Sequence, residues 1–328
     1  MNSEMKVLVT GANGFLAANV VRELLSRDIE VRGMVRQHAD MKSLEGLDFE
    51  IFHGNITNAS DVDKAVSGCS VIIHAAADTS QRYSQASPLY RVNVEATRLL
   101  VEAAQRHKTD RFIFISTGNT IGFGSRENPG HEGNPIGSLF QKSGYAMSKL
   151  EAEKRIQEEV KKNNLNAVIM NPTFMIGPFD AKPSSGRIFK MMYPNKMVFI
   201  PRGGKNFTDV RAASTAICNA ITMGKTGERY LLAGENLSYH EFLEIVRFGK
   251  KTIPVLIPDW VLIFLGVCGS FLRRLGIHSE LSISNAKILV SDDYYTGRKA
   301  AEELKMPPTS VRVAVNDAID WFQKDKML

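Results

Sequence analysis

The chain has 328 residues, of which 44% are hydrophobic and 23% are charged, and its formal net charge is +6. This composition is typical of a globular protein and excludes an intrinsically disordered chain, a collagen and a disulfide-stapled scaffold. The basic excess suits an anionic ligand, and no Lys/Arg stripe interleaved with aromatic residues points to nucleic acid. The cysteines, Cys69, Cys218 and Cys268, are too far apart for a metal or redox motif and indicate a reducing cytoplasm.

The first half of the chain alternates short apolar runs with helical segments. The apolar run at the start is too short for a signal peptide, so we expect none. Strands are predicted at 6–10, 30–36, 49–54, 70–75, 111–116 and 166–170, and helices at 15–27, 88–107 and 145–163. Nearly continuous apolar strands in strand–helix–strand order predict an α/β fold with a doubly wound parallel sheet covered on both faces.

The second half is more irregular. Prolines punctuate the chain after Pro172, and helices are predicted at 239–250, 260–275 and 311–324. We therefore predict a sheet domain over residues 1–172 and a smaller C-terminal lobe over 173–328, with part of 209–232 returning to the sheet.

The longest apolar stretch runs from Trp260 to Leu272. It is too short to cross a bilayer of about 30 Å. A buried helix that lines a pocket is the favoured interpretation. The alternative is a surface that dips into a membrane to collect a lipophilic substrate.

A glycine-rich turn follows the first strand and opens the first helix. Glycines at such a turn let the backbone approach a pyrophosphate, and the helix N-terminus offers unpaired N–H groups and a positive dipole end. The strand–turn–helix context makes the motif specific for a dinucleotide. The expected contacts are Gly11, Asn13, Gly14, Phe15 and Leu16.

The end of the second strand indicates which dinucleotide is bound. NAD-binding turns place an acidic residue there for the ribose hydroxyls, whereas this chain has Val35 followed by Arg36. An arginine can pair with a 2′-phosphate and stack on adenine, and Lys42 could add a second charge. These residues predict NADP(H).

Tyr145 and Lys149 lie four residues apart, which places them on one face of a helix. A tyrosine normally has a pKa of about 10. A lysine cation nearby stabilises the phenolate, so we expect it to lower that pKa toward working pH. The pair is a candidate catalytic centre.

Together these motifs resemble the extended short-chain dehydrogenases/reductases of the NAD-dependent epimerase/dehydratase superfamily. Ala17 stands where the family turn has its third glycine. The resemblance implies a Rossmann sheet over 1–172 that binds NADP and a substrate-binding lobe over 173–328. It implies catalysis by Thr117, Tyr145 and Lys149, with Ser116 the near miss for the hydroxyl position, and no metal. Further expected cofactor contacts are Asn55, Ile56, Ala75, Ala76, Ala77, Asn93, Pro172, Thr173 and Phe174.

Within this family, the pattern is closest to dihydroflavonol-reductase-like enzymes, which implies NADPH-dependent reduction of a ketone or aldehyde. Gly118 and Asn119 stand where sugar dehydratases carry an acid and a base, and Val35-Arg36 argues against sugar epimerases. A 3β-hydroxysteroid-dehydrogenase-like enzyme, a sugar-nucleotide epimerase and a non-catalytic NADP-binding redox sensor stay as alternatives. A small-molecule carbonyl or alcohol is the expected partner, and homodimers are common in the family.

Overall fold

Seven parallel strands form the central sheet of the computed structural model, which describes residues 5–79, 89–193, 195–247, 251–275, 279, 281–308 and 310–328. Their spatial order is β3-β2-β1-β4-β5-β6-β10. The strands are β1 (Lys6–Thr10), β2 (Glu30–Val35), β3 (Glu50–His53), β4 (Val71–His74), β5 (Arg111–Ile115), β6 (Ala167–Pro172) and β10 (Arg229–Leu232). The predicted doubly wound parallel sheet is confirmed. The strand order reverses direction at β1, so a crevice opens beyond the carboxyl ends of β1 and β4.

Helices cover both faces of this sheet. The first four are α1 (Phe15–Leu25), α2 (Ala59–Val66), α3 (Ala96–Arg106, preceded by a π-helical turn over Arg91–Glu95) and α4 (Gly144–Asn163), whereas α5 (Arg187–Met192) packs in the smaller lobe described below. Helix α6 (Val210–Met223) packs beside α1 in one hydrophobic core, while α2, α3 and α4 form the core of the opposite face. The predicted helix at 88–107 is present, although Pro88 itself lies outside the described residues.

A smaller lobe follows β6. Its sheet is centred on β9 (Gly204–Asp209), which pairs with β7 (Phe174–Ile176), β11 (Glu235–Ser238) and β13 (Asp292–Asp293). Strands β8 (Met197–Ile200) and β12 (Ile253–Leu256) form a separate parallel pair. The lobe core is rich in aromatic residues, and Phe207 stacks on Phe242 with ring centroids 4.1 Å apart. The other helices are α7 (Tyr239–Val246), α8 (Asp259–Arg274), α9 (Ile283–Leu289), α10 (Arg298–Glu303) and α11 (Val311–Lys324).

The chain crosses between the two parts more than once. Strand β10 lies beside β6 at the edge of the main sheet, and α6 packs on α1, so residues 210–232 lie with the sheet. Ala300 of α10 also joins that core. Residues 248–250 of the predicted helix at 239–250 lie outside the described residues.

Helix α8 corrects one expectation. The helix predicted from Trp260 is present, but its prediction as a buried helix is wrong, because most of its large apolar side chains are exposed. The face that does pack is built from Leu262, Gly266 and Gly269, which are buried. Among the described helices, none combines the length and apolarity that crossing a bilayer requires.

Candidate active site

The glycine turn after β1 brings the backbone unusually close to the end of β4. Gly11 has φ +64°, and a Cβ placed on it would lie 2.8 Å from the Cα of Ala76. Its N–H donates to the carbonyl of Met34 at 2.9 Å, and the Gly14 N–H donates to the carbonyl of Gly11 at 2.8 Å. Only glycine fits both this left-handed conformation and this contact, so the turn forms a shallow cradle open to a ligand.

The sequence of α1 leaves the backbone N–H groups at its N-terminus available to a ligand. Gly14 caps the helix without a side-chain hydrogen bond, and the first turn holds no acidic residue. Ala17, which replaces the family's third glycine, is 2% exposed and packs into the core against the sheet. The positive end of the helix dipole therefore faces the crevice, as the pyrophosphate of a dinucleotide requires.

Arg36 lies at the carboxyl end of β2, where its exposed side chain lines the crevice. Val35, in the position of the expected acid, is buried. Lys42 does not line the crevice. Its ammonium lies 3.3 Å from a carboxylate oxygen of Asp325 at the other end of the chain. The structure thus leaves Arg36 without the second cation that the sequence predicted beside it.

Asn55 and Ile56 both line the crevice, but the side chain of Asn55 is already engaged. Its Oδ1 accepts hydrogen bonds from the backbone N–H of Thr57 at 3.0 Å and from the Thr57 hydroxyl at 2.9 Å. A carbonyl oxygen has two lone pairs. Both lone pairs are already used, so the cofactor contact expected of Asn55 cannot be a further hydrogen bond to this oxygen.

Asn93 also differs from the prediction, because it is fully buried and does not line the crevice. Its Nδ2 donates to the carbonyl of Asp78 at 3.0 Å and to the hydroxyl of Ser148 at 2.9 Å, and its Oδ1 accepts from the Asp78 N–H at 2.8 Å. Asn93 therefore braces the chain after β4 against α4, which carries Tyr145.

Tyr145 lies in the first turn of α4, which Ser143 caps by accepting a hydrogen bond from the N–H of Ala146. The phenol faces Thr117, at the end of β5, whose hydroxyl is hydrogen-bonded to it. Burial of the phenolic oxygen raises the pKa of Tyr145 to about 12, and the bond to Thr117 opposes that rise. Burial therefore outweighs the lowering of this pKa that was expected from Lys149. Tyr145 is protonated at neutral pH and can act as a proton donor.

Ser116, the near miss, points elsewhere. Its hydroxyl is hydrogen-bonded to the carboxylate of Glu153, which also accepts from Thr120 at 2.7 Å. Successive side chains of a strand point to opposite faces, so the residue that meets Tyr145 and the one that meets Glu153 are neighbours in sequence. This alternation gives Thr117 and Ser116 separate environments.

Lys149 is 1% exposed, and its ammonium lies 4.2 Å from the centroid of the Phe114 ring. Burial lowers the pKa of Lys149 to about 7, although the charge of Glu153 acts in the opposite direction. An isolated buried cation is costly, which explains why the neutral form competes near neutral pH. A ligand that accepts a hydrogen bond from this ammonium would therefore favour the charged form of Lys149.

Glu153 anchors a buried polar cluster that the sequence analysis did not identify. It accepts from Asn171 Nδ2 at 2.8 Å and lies 3.1 Å from Arg229 Nη2 of β10. The available signal was its position four residues after Lys149, on the same face of α4. The cluster ties α4, which carries Tyr145 and Lys149, to β6 and β10.

Substituting Lys149 tests the cost of this buried cation. Because the pKa is about 7 in the folded protein and 10.5 as the ordinary value, the unfolded state binds more protons between these limits. The stability penalty of Lys149 is thus absent above about pH 10.5 and complete below about pH 7. We expect Lys149→Met to raise the free energy of unfolding at neutral pH by a few kcal/mol, at about 1.4 kcal/mol per pKa unit.

Urea unfolding near pH 7 and near pH 10 measures the effect, which should shrink at the higher pH. Lys154→Met, at an exposed position on the same helix, is the matched control and should change stability little at either pH. Equal stability of Lys149→Met and wild type at neutral pH would show that the cation carries no penalty.

The crevice continues from the turn into the lobe as one cleft of about 2390 Å³. The predicted residues that line it are Gly11, Asn13, Gly14, Phe15, Leu16, Arg36, Asn55, Ile56, Ala75, Ala76, Ala77, Thr117, Tyr145, Lys149, Pro172, Thr173 and Phe174. The structure thus brings together nearly all of the expected site. Within the described residues, no group of three His, Cys, Asp or Glu side chains converges as a metal site would require.

The lobe end of the cleft combines apolar and charged side chains. Its apolar lining includes Phe140, Phe174, Ile283, Ile288 and Leu289. Lys205 and Asp293 form an ion pair there, with Nζ 2.7 Å from Oδ2. Burial lowers the pKa of Lys205, but Asp293 outweighs it and the net shift is upward, so Lys205 stays charged. The charges of this pair neutralise each other, while Asp180, Lys182, Arg187 and Arg273 also line the cleft.

A family comparison agrees with this geometry. The model of the NAD dependent epimerase/dehydratase family matches residues 7–233, a range that begins at β1 and ends just after β10. The matched part contains the glycine turn, Thr117, Tyr145 and Lys149.

Two curated relatives align along almost the whole chain. A putative dihydroflavonol 4-reductase of Synechocystis sp. is 31% identical, covering 96% of this chain and 94% of its own length. Sterol demethylase protein B of Methylococcus capsulatus is 28% identical, covering 99% of this chain and 100% of its own. Among solved structures, the UDP-glucose 4-epimerase of Thermus thermophilus in complex with NAD superposes with a TM-score of 0.76 at 19% identity, covering 97% of this chain and 99% of that one.

Proposed function

The chain belongs to the NAD-dependent epimerase/dehydratase family, and we propose that within it this enzyme uses NADPH to reduce a ketone or aldehyde to an alcohol. The observation that carries the proposal is the hydrogen bond between Thr117 and Tyr145 in the cleft, with Lys149 one helical turn further along α4. The three cysteines are free, which supports a location in a reducing cytoplasm.

The residues of the turn and crevice fit a dinucleotide. Gly11 and the N-terminus of α1 would hold the pyrophosphate, and Lys149 would hydrogen-bond the ribose next to the nicotinamide. When bound, the cofactor supplies the hydride for the carbonyl carbon. As the carbonyl oxygen gains negative charge, Tyr145 donates its proton to it. The Thr117 hydroxyl then donates to the phenolate that Tyr145 leaves, which stabilises the developing charge.

The preference for NADPH rests on the end of β2. The buried Val35 offers no acceptor to the adenosine ribose hydroxyls, and the exposed Arg36 can pair with a 2′-phosphate. The same feature disfavours a sugar epimerase that retains NAD. Intact Tyr145 and Lys149 disfavour a redox sensor.

A second candidate is oxidation of a sterol-like alcohol at the same centre. It is favoured by the apolar side chains at the lobe end of the cleft, and a relative of this chain is named a sterol demethylase protein. This reaction would require the Tyr145 phenolate, so its rate should rise as pH increases toward the pKa of about 12.

Turnover followed by NADPH absorbance tests the proposal directly. We expect activity on apolar ketones or aldehydes and none in a matched assay for epimerisation of UDP-glucose. Firm NADPH binding without reduction of any carbonyl in a broad panel would instead support the sensor.

Removing each of the two hydroxyls at the end of β5 should have a different effect on activity and stability. Thr117→Val removes the donor to Tyr145, so we expect carbonyl reduction to fall about tenfold while folding is retained. Ser116→Ala removes a hydrogen bond to Glu153 and should mainly lower stability, because that bond lies in the buried cluster. Steady-state kinetics and thermal unfolding of both variants measure the rate of carbonyl reduction and the stability. A larger kinetic loss in Ser116→Ala would shift the assignment by one residue.

A further inference from the structure

The outer face of α8 carries a stripe of large apolar side chains. Trp260, Phe264, Val267 and Phe271 are 72%, 61%, 46% and 59% exposed. Their spacing of four, three and four residues places them along one side of the helix. A stripe of this kind normally faces a protein core, so its exposure indicates an external partner.

The inner face of the same helix explains this orientation. It contacts α9 through glycines: a Cβ on Gly266 would lie 2.7 Å from Cβ of Ala286, and one on Gly269 would lie 2.1 Å from the carbonyl oxygen of Leu281. Larger residues cannot occupy this close contact. The helix therefore packs on the protein with its small residues and turns its large ones outward.

The strand pair β8–β12 extends the apolar surface. Along β8, Val198 and Ile200 are buried in the lobe, while Met197 and Phe199 are exposed. Met197 is paired with Ile253 of β12, which is exposed as well. The end of β8 and the start of α8 are close, because Arg202 lies 3.9 Å from Asp259. We call the exposed side chains of β8, β12 and α8 together the apolar face.

The two segments that build this face are strongly cationic. Residues 187–205 hold five Lys or Arg, of which Lys205 is paired with Asp293 in the cleft, and no Asp or Glu, while residues 251–275 hold three Lys or Arg with Asp259 as the one acidic residue. Lys190, Lys196 and Lys251 are exposed, and Lys196 and Lys251 lie within two residues of the starts of β8 and β12. Bulky apolar side chains within a cationic surround are the composition of elements that bind at the surface of an anionic bilayer.

We propose that the apolar face docks on an anionic lipid bilayer, with α8 lying in the plane of the interface. A second copy of the chain fits less well. A twofold contact brings a patch against itself and would set one cationic surround against the other. Anionic headgroups instead attract those cations, and the aromatic and aliphatic side chains enter the boundary of the acyl chains.

Docking would also place the cleft at the membrane. Ser270 and Arg273 of α8 line the lobe end of the cleft together with Ile283 of α9. If the proposed carbonyl reduction holds, an apolar substrate could therefore pass from the bilayer into the cleft along α8.

Vesicle sedimentation with the full-length protein tests the proposal. We expect binding to vesicles of phosphatidylcholine mixed with an equal amount of phosphatidylglycerol, and much weaker binding to phosphatidylcholine alone. Trp260→Ser/Phe264→Ser/Phe271→Ser should reduce binding to the mixed vesicles at least tenfold, because it removes the large apolar side chains that would enter the bilayer. Val313→Ser, at an exposed apolar position on α11, is the control and should bind like wild type.

The depth of Trp260 gives a second measurement that needs no disruptive variant. In a Trp321→Phe background Trp260 is the sole tryptophan, and its emission should shift to the blue on mixed vesicles and be quenched by brominated lipid. Absence of binding to both vesicles, or wild-type binding by the triple variant, would overturn the proposal. Turnover of a water-soluble aldehyde should be unchanged in the triple variant, so a failure of the proposed reaction stays separable from a failure of docking.

Discussion

Replacing Tyr145 with phenylalanine should lower carbonyl reduction by roughly 10²–10⁴-fold, the usual contribution of a positioned proton donor. The change removes one hydroxyl and leaves the ring, so the dissociation constant of NADPH should stay close to that of wild type. The Tyr145 hydroxyl is hydrogen-bonded to Thr117 and is protonated at neutral pH, as a proton donor must be. Single-turnover rates with saturating NADPH, together with a binding titration, measure both quantities.

Tyr230→Phe is the matched control for this substitution. Tyr230 is fully buried, and its hydroxyl donates to Glu303 at 2.7 Å, but it does not line the cleft. Its loss should lower the free energy of unfolding and leave the rate of reduction near that of wild type. Full reductase activity in Tyr145→Phe would rule out the phenol as the proton donor.

Arg36→Ala should weaken NADPH binding by roughly 10–100-fold and leave NADH binding almost unchanged. Loss of a charge-assisted contact to a phosphate costs on the order of 1.5–3 kcal/mol, and NADH has no 2′-phosphate to lose. Titration of both dinucleotides against wild type and variant gives the two ratios.

Lys42→Ala is the matched control for Arg36. Its ammonium contacts Asp325 and does not line the cleft, so its removal should leave the ratio of NADPH to NADH affinity unchanged. Equal affinity of the wild type for NADH and NADPH would contradict the proposed cofactor preference.

The main sheet could be predicted from sequence because its strands are nearly continuous apolar runs joined by recognisable helices and a glycine turn. The lobe could not, because its strands are short and pair with distant segments: β13 has two residues and pairs with β9 far earlier in the chain. The exposure of α8 was predicted wrongly because hydropathy gives the amount of apolar surface, not its direction. Gly266 and Gly269 determine which face packs.

The residues of the site also divide into those whose position could be predicted from sequence and those whose position could not. Residues in local motifs, such as Gly11, Thr117 and Tyr145, were placed correctly in one cleft by their order along the chain. Lys42 and Asn93 were not, because nearness in sequence does not fix where a side chain points. Glu153 was overlooked since its environment depends on Arg229, which only the folded sheet brings to within 3.1 Å.

The contact between β6 and β10 has a consequence for synthesis of the protein on the ribosome. When residue 172 has emerged, six strands are available, yet Ala213 and Ile217 of α6 do not cover α1 and Glu153 lacks the guanidinium of Arg229. A buried charge without its partner costs roughly 3–5 kcal/mol. The nascent sheet must therefore wait for residues 210–232 before it can close. Truncation before β10 should yield an aggregation-prone intermediate instead of an autonomous nucleotide-binding domain.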